Sequence, residues 1–173
     1  VPAIRFRKAQ EIIMDRFGED CRNETDLAPQ HERWLCQWAQ ETHHSELLFV
    51  THYPTAKRPF YTMPAPDDPE HTNSFDLLFR GTEIVTGGQR VHHYNQLLEH
   101  LARWQQSPSS YTGYLEAFRY GMPPHGGFAI GLERLLMQLT AAPNLRLTAA
   151  QAKAVAAGRV HLAARSYGAL LLH

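Results

Sequence analysis

The chain of 173 residues has only two cysteines, no excess of either charge and no hydrophobic run long enough to cross a bilayer. Each shortage narrows the reading. Cys21 and Cys36 are too widely spaced for a redox or zinc pair. Cys36 lies in a helical pattern with Trp34, Leu35 and Trp38, so a buried free thiol is expected there instead of a disulfide. Seventeen Lys and Arg against seventeen Asp and Glu leave no overall field to recruit nucleic acid. No signal-peptide pattern opens the chain and no membrane partner is expected, so the expected location is cytoplasmic. Internal repeats are absent as well.

Acidic residues are also missing from one end. None follows Glu133, whereas Arg134, Arg146, Lys153, Arg159 and Arg165 are basic; setting those five aside leaves 12 basic against 17 acidic residues in the first 133 positions. The body is acidic and the tail basic. From Leu147 onward the composition turns alanine-rich, which suggests a division into 1–146 and a divergent tail, 147–173.

What is present reads as a soluble globular chain, 43% apolar and 20% charged. Ile4 to Phe17 reads as a helix closed by Gly18, and His31 to Thr42 as a second. Leu47 to Val50 reads as a buried strand, and the aromatic segment Arg58 to Met63 as another. Pro64 to Pro69 is expected to be a loop, since its prolines lack the ladder donor. Ser74 to Phe79 and Thr82 to Thr86 flank Arg80-Gly81 as a hairpin. Tyr94 to Gln105 is helical, and Ser109 or Ser110 is expected to cap a helix carrying Tyr111, Tyr114, Leu115 and Phe118, ended by Gly121. Unevenly spaced helices among several strands predict an α+β fold with a largely antiparallel sheet.

Three constellations could carry chemistry. A two-residue turn at Arg80-Gly81 puts Asp76 and Glu83 on one hairpin face, diagonally, within reach of one cation. With phosphate oxygens and water they suit magnesium; as surface acids on an edge hairpin they do nothing. Arg90, after Gly87-Gly88-Gln89, would grip a ligand carboxylate in bidentate fashion, or else sit in a polar surface turn. Strict alternation turns Arg90 away from the face of Glu83, so a bulge or a strand end is expected at the glycines. After Gly126-Gly127 and Gly131, Leu132, Leu135, Leu136 and Leu139 mark a helix that buries one face. Arg134 lies just off that stripe, as a phosphate clamp or as an ordinary surface arginine. The pairs His43-His44 and His92-His93 stand at no familiar zinc spacing, and core or solvent roles are expected for them.

Taken in order, Pro59-Phe60-Tyr61-Thr62-Met63-Pro64, Ser74-Phe75-Asp76-Leu77, Arg80-Gly81-Thr82-Glu83-Ile84, Gly87-Gly88-Gln89-Arg90, Phe118 to Gly127 and Gly131-Leu132-Glu133-Arg134-Leu135 resemble aspartyl-tRNA synthetases, most nearly the archaeal-type, often non-discriminating branch. The resemblance runs from about residue 1 to 145. It implies a class II aminoacyl-tRNA synthetase-like catalytic domain, an antiparallel sheet flanked by helices. It also implies Asp76 and Glu83 as magnesium residues, Glu83, Arg134 and Gly131 at ATP, and Arg134 and Glu83 as catalytic groups. Arg90, Gln89 and Arg58 would contact aspartate, with Arg58 where the family commonly places a lysine. The implied chemistry is attack of the amino-acid carboxylate on the α-phosphate of ATP, followed by transfer to tRNA.

The same resemblance places the start of the chain after motif 2, so the expectation is a truncated protein lacking motifs 1 and 2, with reduced or absent activity alone. Contact with tRNA would be weakened, and a homo- or hetero-oligomer could cover exposed sheet. Two alternatives stand beside it: a tRNA-independent amide-forming paralogue resembling an asparagine synthetase, and a non-catalytic module that binds aspartate or a partner.

Overall fold

The structure is a computed structural model that describes residues 1–142. The chain divides into two compact units, Val1–Ile130 and Gly131–His173. The alanine-rich tail singled out above lies outside the described residues.

The first unit is built on a five-stranded sheet in the order β1 (Ala3–Arg5), β2 (Leu47–Thr51), β5 (Ser74–Phe79), β6 (Thr82–Arg90) and β7 (His125–Ile130). A short strand β1 (Ala3–Arg5) runs straight into helix α1 (Phe6–Phe17), so the first two residues expected to be helical, Ile4 and Arg5, are strand. Gly18 ends α1 in the left-handed region at φ 73°, where a glycine carries no Cβ penalty. Helix α2 (Pro29–His43) opens on a proline, whose missing N–H is no loss in a first turn. Strand β2 (Leu47–Thr51) pairs parallel with β1 and antiparallel with β5 (Ser74–Phe79). Strand β6 (Thr82–Arg90) joins β5 through the Arg80-Gly81 turn. Both turn residues have positive φ, 48° and 84°, the requirement of a tight hairpin whose twist matches the strands. Strand β7 (His125–Ile130) lies along β6.

Two expectations about the middle of the chain are corrected. Arg58 to Met63 is not a strand but a series of turns touching the sheet through one bridge, Thr62 to Arg90. Pro64 to Pro69 is not a bare loop: β3 (Pro64–Ala65) pairs with β4 (Asp68–Thr72) in a two-stranded ribbon. Prolines are tolerated there because the ribbon has only edges.

Cross-paired residues share a face of a sheet, so the register divides the unit. Leu48, Val50 and Leu78 share the face covered by α1 and α2. They bury against Phe6, Ile13, Leu35 and Ala39, all at 1% exposure or less. Cys21 and Cys36 are both free and buried, as expected for Cys36. A second cluster gathers Val91 with Leu97 and Leu101 of helix α3 (Tyr94–Arg103) and Leu115 and Phe118 of helix α4 (Thr112–Arg119). Ser109 and Ser110 do not cap α4. They lie in a 3-10 turn, Pro108–Tyr111, and the Thr112 hydroxyl instead donates to the Ser109 carbonyl.

In the second unit, helix α5 (Leu132–Thr140) forms as its leucine spacing predicts. Its stripe is not buried among the described residues: Leu132 and Leu139 are 54% and 60% exposed.

Candidate functional site

Beyond the helix-covered part of the sheet, the same face opens into a cleft of about 330 Å³. Its floor is polar strand, with Ser74 of β5, Thr86, Gly88 and Arg90 of β6, and Gly127 and Ala129 of β7. All of them fall in register on the Asp76 face. Its wall is the turn segment with Arg58, Pro59, Tyr61 and Thr62. That segment is tied to β6 by backbone: Met63 N–H donates to Gln89 O at 2.9 Å and Val91 N–H to Tyr61 O at 2.8 Å. From α3, His100 Nδ1 donates to the Phe60 carbonyl at 2.7 Å.

One inserted residue is absorbed without breaking this face. Leu78 pairs with Glu83, but Leu77 pairs with Val85, so Ile84 is an extra residue in β6. A bulge of this kind reverses alternation beyond it. Asp76, Glu83, Thr86, Gly88 and Arg90 therefore share one face. The bulge expected at Gly87-Gly88 is in fact at Ile84, and the glycines continue as regular strand. They serve close packing instead: a Cβ on Gly87 would meet Phe128 Cβ at 2.6 Å and Phe75 Cζ at 2.7 Å.

Arg58 and Asp76 form the most enclosed ion pair of the described residues, 2.8 Å apart with side chains 14% and 6% exposed. The Arg58 guanidinium also donates to Thr86 Oγ1 at 2.8 Å and lies 4.1 Å over the Tyr53 ring. Burial first, and then the Asp76 carboxylate beside it, push the Tyr53 phenol well above its ordinary pKa. Asp76 Oδ1 is buried without a hydrogen-bond partner.

Arg90 is held differently. Its guanidinium stands 5.0 Å over the Tyr61 ring, and a Cβ on Gly127 would come within 3.4 Å of Nη2. No carboxylate pairs with it among the described residues. Gln89 lines the cleft, but its side-chain oxygen accepts from Asn73 Nδ2 at 2.9 Å.

Of the residues singled out in the sequence, the structure thus gathers Arg58, Asp76, Gln89 and Arg90. Glu83 lies nearer the turn, across from Leu78, and its N–H donates to Glu32 Oε2 at 2.9 Å. Gly131 and Arg134 belong to the second unit. There Gly131 precedes α5, its carbonyl accepts from Leu135 N–H at 2.9 Å, and the Arg134 side chain packs beside it. Sequence reasoning missed Thr86, Tyr53 and Tyr61 as site residues. Only Thr86 carried a signal, as the cross-strand neighbour of Asp76 once the bulge is allowed.

The histidine pairs have other surroundings. His43 meets the Trp38 ring edge-on at 5.0 Å, His44 takes a left-handed conformation after α2, and the His92 and His93 rings lie 4.1 Å apart. No helix among the described residues is long and apolar enough to cross a membrane.

Comparison with known proteins bears on the same residues. The family model for class II tRNA synthetases (D, K and N) matches residues 1–154. Aspartate–tRNA(Asp/Asn) ligase of Thermus thermophilus is 49% identical over 146 residues, covering 84% of this chain and 34% of the relative. Aspartate–tRNA(Asp) ligase of Pyrococcus furiosus is 41% identical over 145 residues, covering 84% and 33%. Among solved structures, an aspartyl-tRNA synthetase from Entamoeba histolytica superposes with a TM-score of 0.80 at 34% identity, over 84% of this chain and 30% of that one. An asparaginyl-tRNA synthetase from Pyrococcus horikoshii complexed with asparaginyl-adenylate gives 0.77 at 31%, over 85% and 33%. The chain spans about a third of the length of the curated relatives it matches.

Proposed function

The chain belongs to the class II tRNA synthetases of the D, K and N kind, and from that premise we propose that its cleft receives aspartate for ATP-dependent activation and transfer to tRNA. One observation carries the choice of amino acid. Among the described residues two arginines line the cleft and no acid does; Arg58 is neutralised from beneath by Asp76, which leaves the charge of Arg90 unbalanced there. A guanidinium so placed favours a carboxylate over an amide, because the planar fork pairs with two anionic oxygens.

In this reading Arg90 takes the side-chain carboxylate of aspartate. Arg58, fixed by Asp76 and Thr86, presents its outer edge to the same group, and Gln89, held by Asn73, closes the floor. The α-carboxylate would then attack the α-phosphate of ATP with pyrophosphate leaving, a reaction accelerated by positioning and charge neutralisation without a protein nucleophile. Arg134 and Gly131 are assigned to the ATP phosphates, and Arg134 with Glu83 to catalysis. The residues present also fit a magnesium ion. Asp76 Oδ1 is buried and unpartnered, Glu83 shares its face, and such an oxygen is costly until a cation meets it. Asp76 and Glu83 would hold the ion, which when bound neutralises phosphate charge.

Isothermal titration of the full chain with L-aspartate and L-asparagine tests the pocket. Binding of aspartate in preference to asparagine is expected, and preference for asparagine would overturn it. Aspartate-dependent pyrophosphate exchange tests the larger reaction, with a rate well below that of a full-length synthetase expected for this chain alone.

A further inference from the structure

Near Arg90 but outside the lining of the cleft, α4 presents Tyr114. Its ring packs against Phe118 at 4.9 Å and meets Phe60 edge-on at 6.4 Å, in the cluster that also holds Tyr61. Its hydroxyl oxygen is enclosed by protein and has no hydrogen-bond partner. An enclosed hydroxyl left unpaired is unfavourable, and a phenylalanine would avoid the cost. Burial pushes the Tyr114 phenol up in pKa, while the charge of Arg90 and the approach of its N–H groups pull the other way. Arg90 therefore has a ring face on one side, the bare Gly127 on another and, outside the cleft lining, an enclosed phenol oxygen that makes no close hydrogen bond.

We propose that Tyr114 is a positioning residue for amino-acid selection, its hydroxyl oxygen accepting from the rear edge of the Arg90 guanidinium when the front edge pairs with a ligand carboxylate. A guanidinium has five N–H donors in a fixed fork, so an acceptor behind fixes the plane in which the front pair points. Tyr61 fixes its height and Gly127 gives it room, but neither sets rotation within that plane. The phenol does. Amide ligands, which pair less strongly with the fork, gain less from that alignment, so Tyr114 acts on selectivity for aspartate over asparagine. The inference rests on the assignment of Arg90 to the ligand carboxylate.

The test is titration of the full chain and of Tyr114→Phe with L-aspartate and L-asparagine, with Arg90→Gln as reference. Tyr114→Phe keeps the ring and its packing. Aspartate affinity is expected to fall roughly tenfold, the order of one hydrogen bond to a charged group, with asparagine affinity changed much less. Melting temperature is expected to hold or rise, because an unpaired buried hydroxyl is removed. A ratio of the two affinities unchanged in Tyr114→Phe, with aspartate binding lost in Arg90→Gln, overturns the inference and leaves the pocket assignment standing. Aspartate binding retained in Arg90→Gln, or absent from the unchanged chain, overturns both. If Tyr114→Phe melts early, Tyr114→Leu serves as a packing control: equal losses for aspartate and asparagine in both variants mean packing alone and also overturn it.

Discussion

On one face of the sheet, Leu48, Val50 and Leu78 lie in a dry apolar core, while Asp76, Thr86 and Arg90 lie in or under a polar cleft. Strand β5 supplies both regions with residues only two apart, Leu78 and Asp76. The contrast is between two ways of filling the same kind of position. Burial of Leu78 stabilises by removing apolar surface from water and needs no specific partner. Burial of Asp76 is tolerated because Arg58 is there, and Arg58 because Thr86, Tyr53 and Asp76 are there. A region made the second way is specific and brittle.

Substitutions can break that comparison, beginning with the largest effect. Asp76→Ala leaves a largely buried guanidinium unpaired, and a loss of about 3–5 kcal/mol is expected in urea denaturation. A loss well under 1 kcal/mol would mean that the pair contributes nothing structural. Leu78→Ala, in the apolar region, is expected to cost about 2–5 kcal/mol by the same measurement, with aspartate affinity kept. Gly87→Ala forces a methyl against Phe75 and Phe128, an overpacking of about 1–3 kcal/mol. Arg90→Gln is expected to alter stability by less than about 0.5 kcal/mol and yet abolish measurable aspartate binding, which separates cleft from core most cleanly.

The last effect is absent at neutral pH and appears only in alkali. Burial pushes the Cys36 thiol up from an ordinary 9 to about 11. Above pH 9 the unfolded chain releases that proton while the folded one keeps it. This contribution is therefore complete below pH 9 and declines toward pH 11. Cys36→Ala is expected to flatten the decline in denaturation curves across that window.

The periodic elements were legible in the sequence for plain reasons. Leu97 and Leu101 are spaced for a helix, and Arg80-Gly81 has the chemistry of a hairpin turn, so both regions appear where the pattern puts them. The wall of the cleft was not legible. Arg58 to Met63 has the aromatic content of a strand, but the bonds that hold it as turns are made with the distant residues Gln89, Val91 and His100. Alternation alone also misplaced the bulge, because glycine is only one reason for irregularity and Ile84 gives no local sign of being the extra residue. Within the site, charge and spacing pointed to Asp76 and Arg90. The supports Thr86, Tyr53 and Tyr61 are residues that any core could use.

The extra Ile84 is a length defect that the ladder absorbs where it occurs. Deleting it would leave Glu83 opposite Leu78 and Val85 opposite Leu77 as consecutive pairs, so Thr86, Gly88 and Arg90 would keep the cleft face and only the local kink and added twist of the bulge would go. One residue inserted farther along β6 with no second bulge to absorb it would instead exchange the two sides beyond it and turn Arg90 away from the cleft.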